Sequence, residues 1–141
     1  MSSIKEIEEN IIDEFSTFYN WNDKYEYLIE LGKSLSPMED NLKTDDRKVS
    51  GCQSQVWLNS HFENGKIYFQ ADSDAIITKG IVSLLIRVLS GQKPEDIINA
   101  DLSFIDKIGL REHLSMTRAN GLISMIKHIK DNAKKYLDIN N

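Results

Sequence analysis

The chain has one cysteine, Cys52, and only two prolines in 141 residues. A single thiol excludes an internal disulfide and suits a reducing compartment. It also removes most metal chemistry. A structural zinc site needs four Cys or His ligands at short paired spacings, and His61, His113 and His128 are scattered without such pairing. No stretch approaches the roughly 20 consecutive apolar residues of a membrane span. The opening Met-Ser-Ser-Ile-Lys-Glu lacks the charged-then-apolar layout of a signal peptide. The expectation is therefore a cytoplasmic protein with no membrane partner. Basic charge is scarce as well: 17 Lys and Arg stand against 22 Asp and Glu, a formal charge of -5, which argues against a nucleic-acid partner. The one locally basic stretch, Lys127, His128, Lys130, Lys134 and Lys135, falls at the end of the last predicted helix. Cations there complement the carbonyl end of the dipole, so it reads as a solvated helix face.

What is present is patterned for one globular domain over 1–141, with 40% hydrophobic and 28% charged residues. Ile4, Ile7, Ile11, Phe15 and Phe18 recur at helical spacing, with Ser3 and Glu6 as a capping box. A second helix is expected from Asn20 or Asn22 through Leu35, ended by Ser36-Pro37. Residues 38–48 are polar and aperiodic, a flexible arm leading to Gly51 and Cys52. Val56, Leu58 and Phe62, then Asn64-Gly65, then Ile67, Phe69 and Ala71 predict a β-hairpin, with room for a short third strand near Lys48 to Ser50. Asp72, Ser73 and Asp74 are N-cap candidates for a helix from Ala75 to Ser90 that is apolar on nearly every side and so buried. Two short helices follow, one opened by Pro94 and one near Ser103 to Ile108. The last helix starts near Ser115 and turns Leu122, Ile126, Ile129, Ala133 and Leu137 inward. The fold class is α+β, a small antiparallel sheet with helices on one face.

A lone cysteine in such a chain has two readings. It is a small buried hydrophobe, or it is reactive. Gly51 before it allows a tight tip, and polar Gln53, Ser54 and Gln55 after it are odd company for a core residue. Arg47 and Lys48 upstream either lower its pKa or are solvated loop charges. Trp21 and Trp57 are expected in the core.

The string from Lys48 to Leu58, KVSGCQSQVWL, closely resembles the SufE family of sulfur-acceptor proteins. The likeness extends to the segments WNDKYEYLIELGKSL, DSDAIITKGIVSLL and HLSMTRANGLISMI, and so covers essentially the whole chain. Met116 departs from the proline common there, and the Ser60 to Lys66 region matches loosely. The resemblance implies a SufE/IscU-like architecture and a partner of a pyridoxal-phosphate-dependent cysteine desulfurase of the SufS or CsdA type, the cofactor belonging to that partner. It further implies that Cys52 accepts sulfur as a persulfide, stimulates the desulfurase without turnover of its own, and passes sulfur to an iron–sulfur scaffold of the SufBCD kind. An apolar pocket shielding the persulfide is the corresponding structural expectation.

The resemblance also carries over Asp74 as a neighbour of the cysteine loop, against a plain helix cap, and Arg118 as a partner-facing cation, against a solvated one. Gln53 and Gln55 either donate hydrogen bonds around the sulfur or pair with strand backbone. An IscU-like cluster scaffold and a non-catalytic interaction module remain as alternatives, and either a monomer or a homodimer is compatible. The single thiol suits a carrier, because a second one could attack the persulfide, form a disulfide and release sulfide.

Overall fold

The computed structural model describes residues 3–140, with side chains through Asp138. Helix α1, Ile4–Phe15, opens as its sequence predicts: the Glu6 N–H donates to Ser3 Oγ at 3.2 Å, and the Ser3 hydroxyl donates to Glu6 Oε1 at 3.1 Å. Helix α2, Trp21–Lys33, is capped by Asn20, whose Oδ1 accepts from the Asp23 N–H at 2.9 Å. It stops short of Leu35. The Leu35 N–H turns back to the Gly32 carbonyl at 3.2 Å in a tightened last turn, a residue pair ahead of Pro37.

The segment expected to be a featureless arm contains two 3₁₀ turns, Asp40–Leu42 and Asp45–Arg47. It is anchored rather than free. Met38 and Val49 are buried, and Lys43 reaches the buried Asp72 at 2.9 Å while lying 5.6 Å over the Trp57 ring. Strands β1, Val56–Glu63, and β2, Lys66–Ser73, pair antiparallel with Leu58 opposite Ala71 and Phe62 opposite Ile67. Asn64 and Gly65, at φ 53° and 79°, form the tight turn between them, and both conformations carry the positive φ that this turn requires. No third strand forms among the described residues. Lys48 pairs with Trp57 as a single bridge, and Ile67 with Gln92 as another, so each outer edge is covered only locally.

Helix α3, Ile76–Leu89, is the buried helix that its composition demands, with Ile81, Leu84, Leu85, Val88 and Leu89 each 2% exposed or less. It packs against α2, β2, α1 and the C-terminal helix α6, Met116–Asn140. Contact with α2 is backbone to backbone. A Cβ on Gly80 would sit 2.8 Å from the Leu28 carbonyl carbon, and one on Gly32 would sit 2.9 Å from the Gly80 nitrogen. Helices α4, Pro94–Asn99, and α5, Phe104–Lys107, lead to α6, Met116–Asn140. Helix α6 buries Leu122, Met125, Ile129 and Ala133. Leu137 and Ile126 are only half-buried, and Tyr136 instead stacks on Phe62 at 5.4 Å. The result is one α+β domain, with the inner face of a two-stranded sheet covered by helices.

Neither tryptophan is fully buried as expected, although Trp21 packs against the core. Trp57 lies on the outer sheet face beneath Lys43, and Trp21 is half-buried, stacked on His113 at 3.9 Å. The register explains Trp57: alternation puts Val56 and Leu58 inward and the residue between them outward.

Two buried carboxylates carry opposite pH signatures. Burial pushes the Asp72 carboxyl up, but hydrogen bonds from Lys43, the Ser73 N–H and Lys79 outweigh it and hold Asp72 below the usual carboxylate range. Glu8, which accepts from the Phe104 N–H at 3.1 Å, is raised, chiefly by burial. Asp72 therefore contributes stability that is present above its unfolded pKa and lost as pH falls through its folded value. Glu8 contributes stability that is present at low pH and lost as pH rises through its raised value.

Urea unfolding at pH 7 should accordingly show Asp72→Asn destabilised by about 1–3 kcal/mol and Glu8→Gln unaffected or slightly stabilised. The Asp72→Asn deficit should shrink below about pH 4, where the unfolded carboxyl is itself protonated. Gly80→Ala should lower the urea midpoint by an amount worth about 1–3 kcal/mol, because the added methyl meets backbone that cannot turn aside.

Candidate functional site around Cys52

The cysteine tip is a closed loop. At its base the Val49 N–H donates to the Val56 carbonyl at 2.8 Å. At its C-terminal end the Gln55 N–H donates to Asp74 Oδ1 at 2.9 Å, the Asp74 N–H donates to the Gln55 carbonyl at 3.2 Å, and the Ser73 hydroxyl donates to the same carbonyl at 2.9 Å. Asp74 is thus not the cap of α3. That position falls to Ala75, which has no side-chain bond to give, and the Asp74 carboxylate ties the cysteine loop to the start of the helix.

The tip folds onto α6. Gly51 adopts φ 87°, and a Cβ there would run into Ser124 Oγ and lie 3.1 Å from Ser124 Cβ. Cys52 Sγ donates to the Gly121 carbonyl at 3.6 Å. A Cβ on Gly121 would lie 3.6 Å from that sulfur, in ordinary contact, so the thiol rests against the helix backbone at this glycine. A glycine inside a helix costs about 1 kcal/mol relative to alanine, and here that cost coincides with the seat of the sulfur.

Cys52 is half-buried, and burial alone pushes its thiol above the ordinary range. The two upstream cations do not oppose this. Arg47 donates to Asn59 at 3.1 Å and to Thr44 at 2.9 Å, and Lys48 pairs with Asp45 at 3.4 Å, so both serve the approach loop. Gln53 and Gln55 are exposed, and the sulfur bonds to Gly121 rather than to either of them. In this conformation burial disfavours the Cys52 thiolate.

Beside the sulfur lies a cavity of about 360 Å³. Gln53, Ser54 and Arg118 line it with Cys52, so four of the residues singled out from sequence meet in one place, while Gly51 shapes the loop through its backbone and Asp74 ties it through its carboxylate. Its walls correct the expectation of an apolar shelter. Ile81 and Met125 are apolar, but Thr78, Ser115 and Thr117 add hydroxyls. Those residues, with Gly121 and Ser124, escape a reading by motif because they come from α3, α6 and the turn before α6. Only Gly121 carried a signal, as a glycine inside a helical pattern. Among the described residues, no group of three His, Cys, Asp or Glu side chains is placed to hold a metal ion, and no helix is long and apolar enough to cross a membrane.

The profile of the SufE family, described as an Fe-S metabolism associated domain, matches residues 9–133. This chain belongs to the SufE family. An uncharacterized SufE-like protein of Rhizobium meliloti is 44% identical over 131 residues, covering 89% of this chain and 94% of that one. SufE-like protein 1, chloroplastic/mitochondrial, of Arabidopsis thaliana is 37% identical over 89% of this chain and 34% of its own length. Among solved structures, the solution structure of a hypothetical protein from Thermus thermophilus superposes with a TM-score of 0.77 over 94% of this chain and 96% of its own. At 20% identity that likeness concerns the fold. SufE membership gives the chain a role in iron–sulfur metabolism.

The buried thiol has a measurable consequence. The rate of Cys52 alkylation by iodoacetamide should titrate with a midpoint above the value of about 8.5 for free cysteine, and unfolding in urea should bring it back to that value. A native midpoint at or below that of the unfolded chain would contradict a desolvated seat for the sulfur.

Proposed function

We propose that this SufE-family protein is the sulfur acceptor and activator of a cysteine desulfurase, carrying sulfur as a persulfide on Cys52. The observation that carries the reading is the placement of the chain's single thiol, on a loop tip laid over helix glycine next to a cavity large enough for further atoms. The partner's pyridoxal phosphate would supply the carbon–sulfur cleavage. The reaction of this chain begins with the sulfur already on the partner.

In that reaction the Cys52 thiolate attacks the outer sulfur of the donor persulfide. The donor S–S bond breaks, an S–S bond forms on Cys52, and the departing donor thiolate takes up the proton that Cys52 gave up. Sulfur is moved without net oxidation, as in thiol–disulfide exchange. An acceptor thiol downstream, on a cluster-assembly scaffold, would repeat the exchange.

A resting thiol whose thiolate is disfavoured fits a carrier that reacts only when docked, since lifting the tip from Gly121 would remove the burial that suppresses ionisation. Exposed apolar side chains stand near the site. Ile76 is 64% exposed two residues from Thr78, and Met116 is 81% exposed between Ser115 and Thr117. They supply the apolar contact that a docking protein would bury. The exposed Arg118 beside them has no ion-pair partner among the described residues and offers a charge for recognition.

With a cysteine desulfurase of the SufS or CsdA type and free cysteine, the Cys52 peptide should gain one sulfur by mass spectrometry, and sulfide output under reducing conditions should rise several-fold. Cys52→Ser should abolish both. Stimulation that survives Cys52→Ser would end the proposal.

A further inference from the structure

Thr78 lies in the first turn of α3, is 7% exposed, and lines the cavity that holds Cys52. Its hydroxyl makes no hydrogen bond among the described residues, although a threonine within a helix ordinarily bonds back to a carbonyl of the preceding turn. Although the residue is largely buried, its oxygen is not sealed from solvent and is free to take a partner. Arg118, the only charged side chain among those lining the same cavity, is likewise uncommitted. The Ser115 hydroxyl, by contrast, is engaged, accepting from the Arg118 N–H at 3.2 Å. Beside a sulfur atom the cavity therefore presents the uncommitted hydroxyl of the largely buried Thr78, those of Ser54 and Thr117, and one spare cation.

We infer that this cavity is the seat of the outer sulfur of the Cys52 persulfide in its anionic form, with Thr78 as the positioning residue that donates a hydrogen bond to it. The inference rests on the carrier reading and adds to it a residue that holds the cargo. The chemistry is matched in charge. A persulfide is a stronger acid than its parent thiol, so the outer sulfur is negative under conditions where the buried Cys52 thiol is still protonated. A wholly apolar shelter would penalise that anion, whereas a hydroxyl donor and a guanidinium favour it. The same groups do little for a neutral thiol, whose hydrogen points to the Gly121 carbonyl. Loading would thus change which neighbours the residue at position 52 uses, from Gly121 in the thiol state to Thr78 in the persulfide state.

The test loads the full chain with inorganic polysulfide, so that no desulfurase is involved. The Cys52 thiolate attacks a protonated terminal sulfur of the polysulfide, the S–S bond behind that sulfur breaks as a new one forms on Cys52, and a polysulfide shorter by one sulfur leaves as the anion. The loaded protein is alkylated with iodoacetamide across a pH series, and the peptide bearing one extra sulfur is quantified. The midpoint of that profile should rise by about one pH unit in Thr78→Val, corresponding to about tenfold less anion below the midpoint. Thr78→Ser, which keeps the hydroxyl, should restore the wild-type profile, and Thr78→Ala should behave as the valine variant does. A loss of packing alone would lower thermal stability without moving this midpoint. Valine and alanine variants that titrate with the wild type, a serine variant that titrates with valine, or a Cys52 that takes no sulfur from polysulfide would each overturn the inference. Failure of a desulfurase to load a chain that polysulfide loads would instead count against the carrier reading.

Discussion

Everything in this molecule is referred to α3. A helix with apolar residues on nearly every side has no stable place except among other elements, and each large aliphatic side chain it buries stabilises the fold by about 1.5–3 kcal/mol. The glycine contact with α2 brings one side of it within backbone distance of its neighbour, while β2 and α6 take the others. Once α3 is enclosed, the remaining freedom of the chain is small. The functional loop inherits its position from that enclosure, because Asp74, at the approach to α3, is the residue that ties Gln55 down.

The second constraint is steric and concerns Gly51, which lets the loop tip turn at positive φ toward α6 where any side chain would meet Ser124. The thiol is then half-buried between the edge of the core and the α6 backbone at Gly121. Such a seat raises the thiol pKa without locking the residue away, since the bond to Gly121 is a weak one through sulfur and the tip is held mainly at its ends.

Electrostatics divides the same way. The cations next to Cys52 in sequence, Arg47 and Lys48, are engaged in holding the approach loop, whereas the cation beside the cavity, Arg118, comes from a helix far along the chain. The acidic surface is likewise organised by partners rather than by composition. Glu14 sits below the usual carboxylate range because Arg87 grips it at 2.8 and 2.5 Å, and Tyr27 donates to the same carboxylate at 2.5 Å, so one group joins α1, α2 and α3.

Local rules were sufficient for the helix caps at Ser3 and Asn20, the Asn64-Gly65 hairpin, the buried character of α3 and the singling out of Cys52, since each depends on neighbours within a few residues. They failed where the deciding partner was distant. The expected third strand shrank to a bridge at Lys48, and only the fold chose the loop contact over the cap for Asp74; Trp57 is a different case, turned outward because the local alternation of its strand outranked its size. Sequence by itself determined which residue is the candidate for thiol chemistry, because only one thiol exists. Tertiary structure alone decided that burial raises that thiol's pKa and that a partly polar cavity lined by Thr78 and Arg118 lies beside it. Burial and proximity between α3, α6 and the loop are properties of packing, which no local pattern encodes.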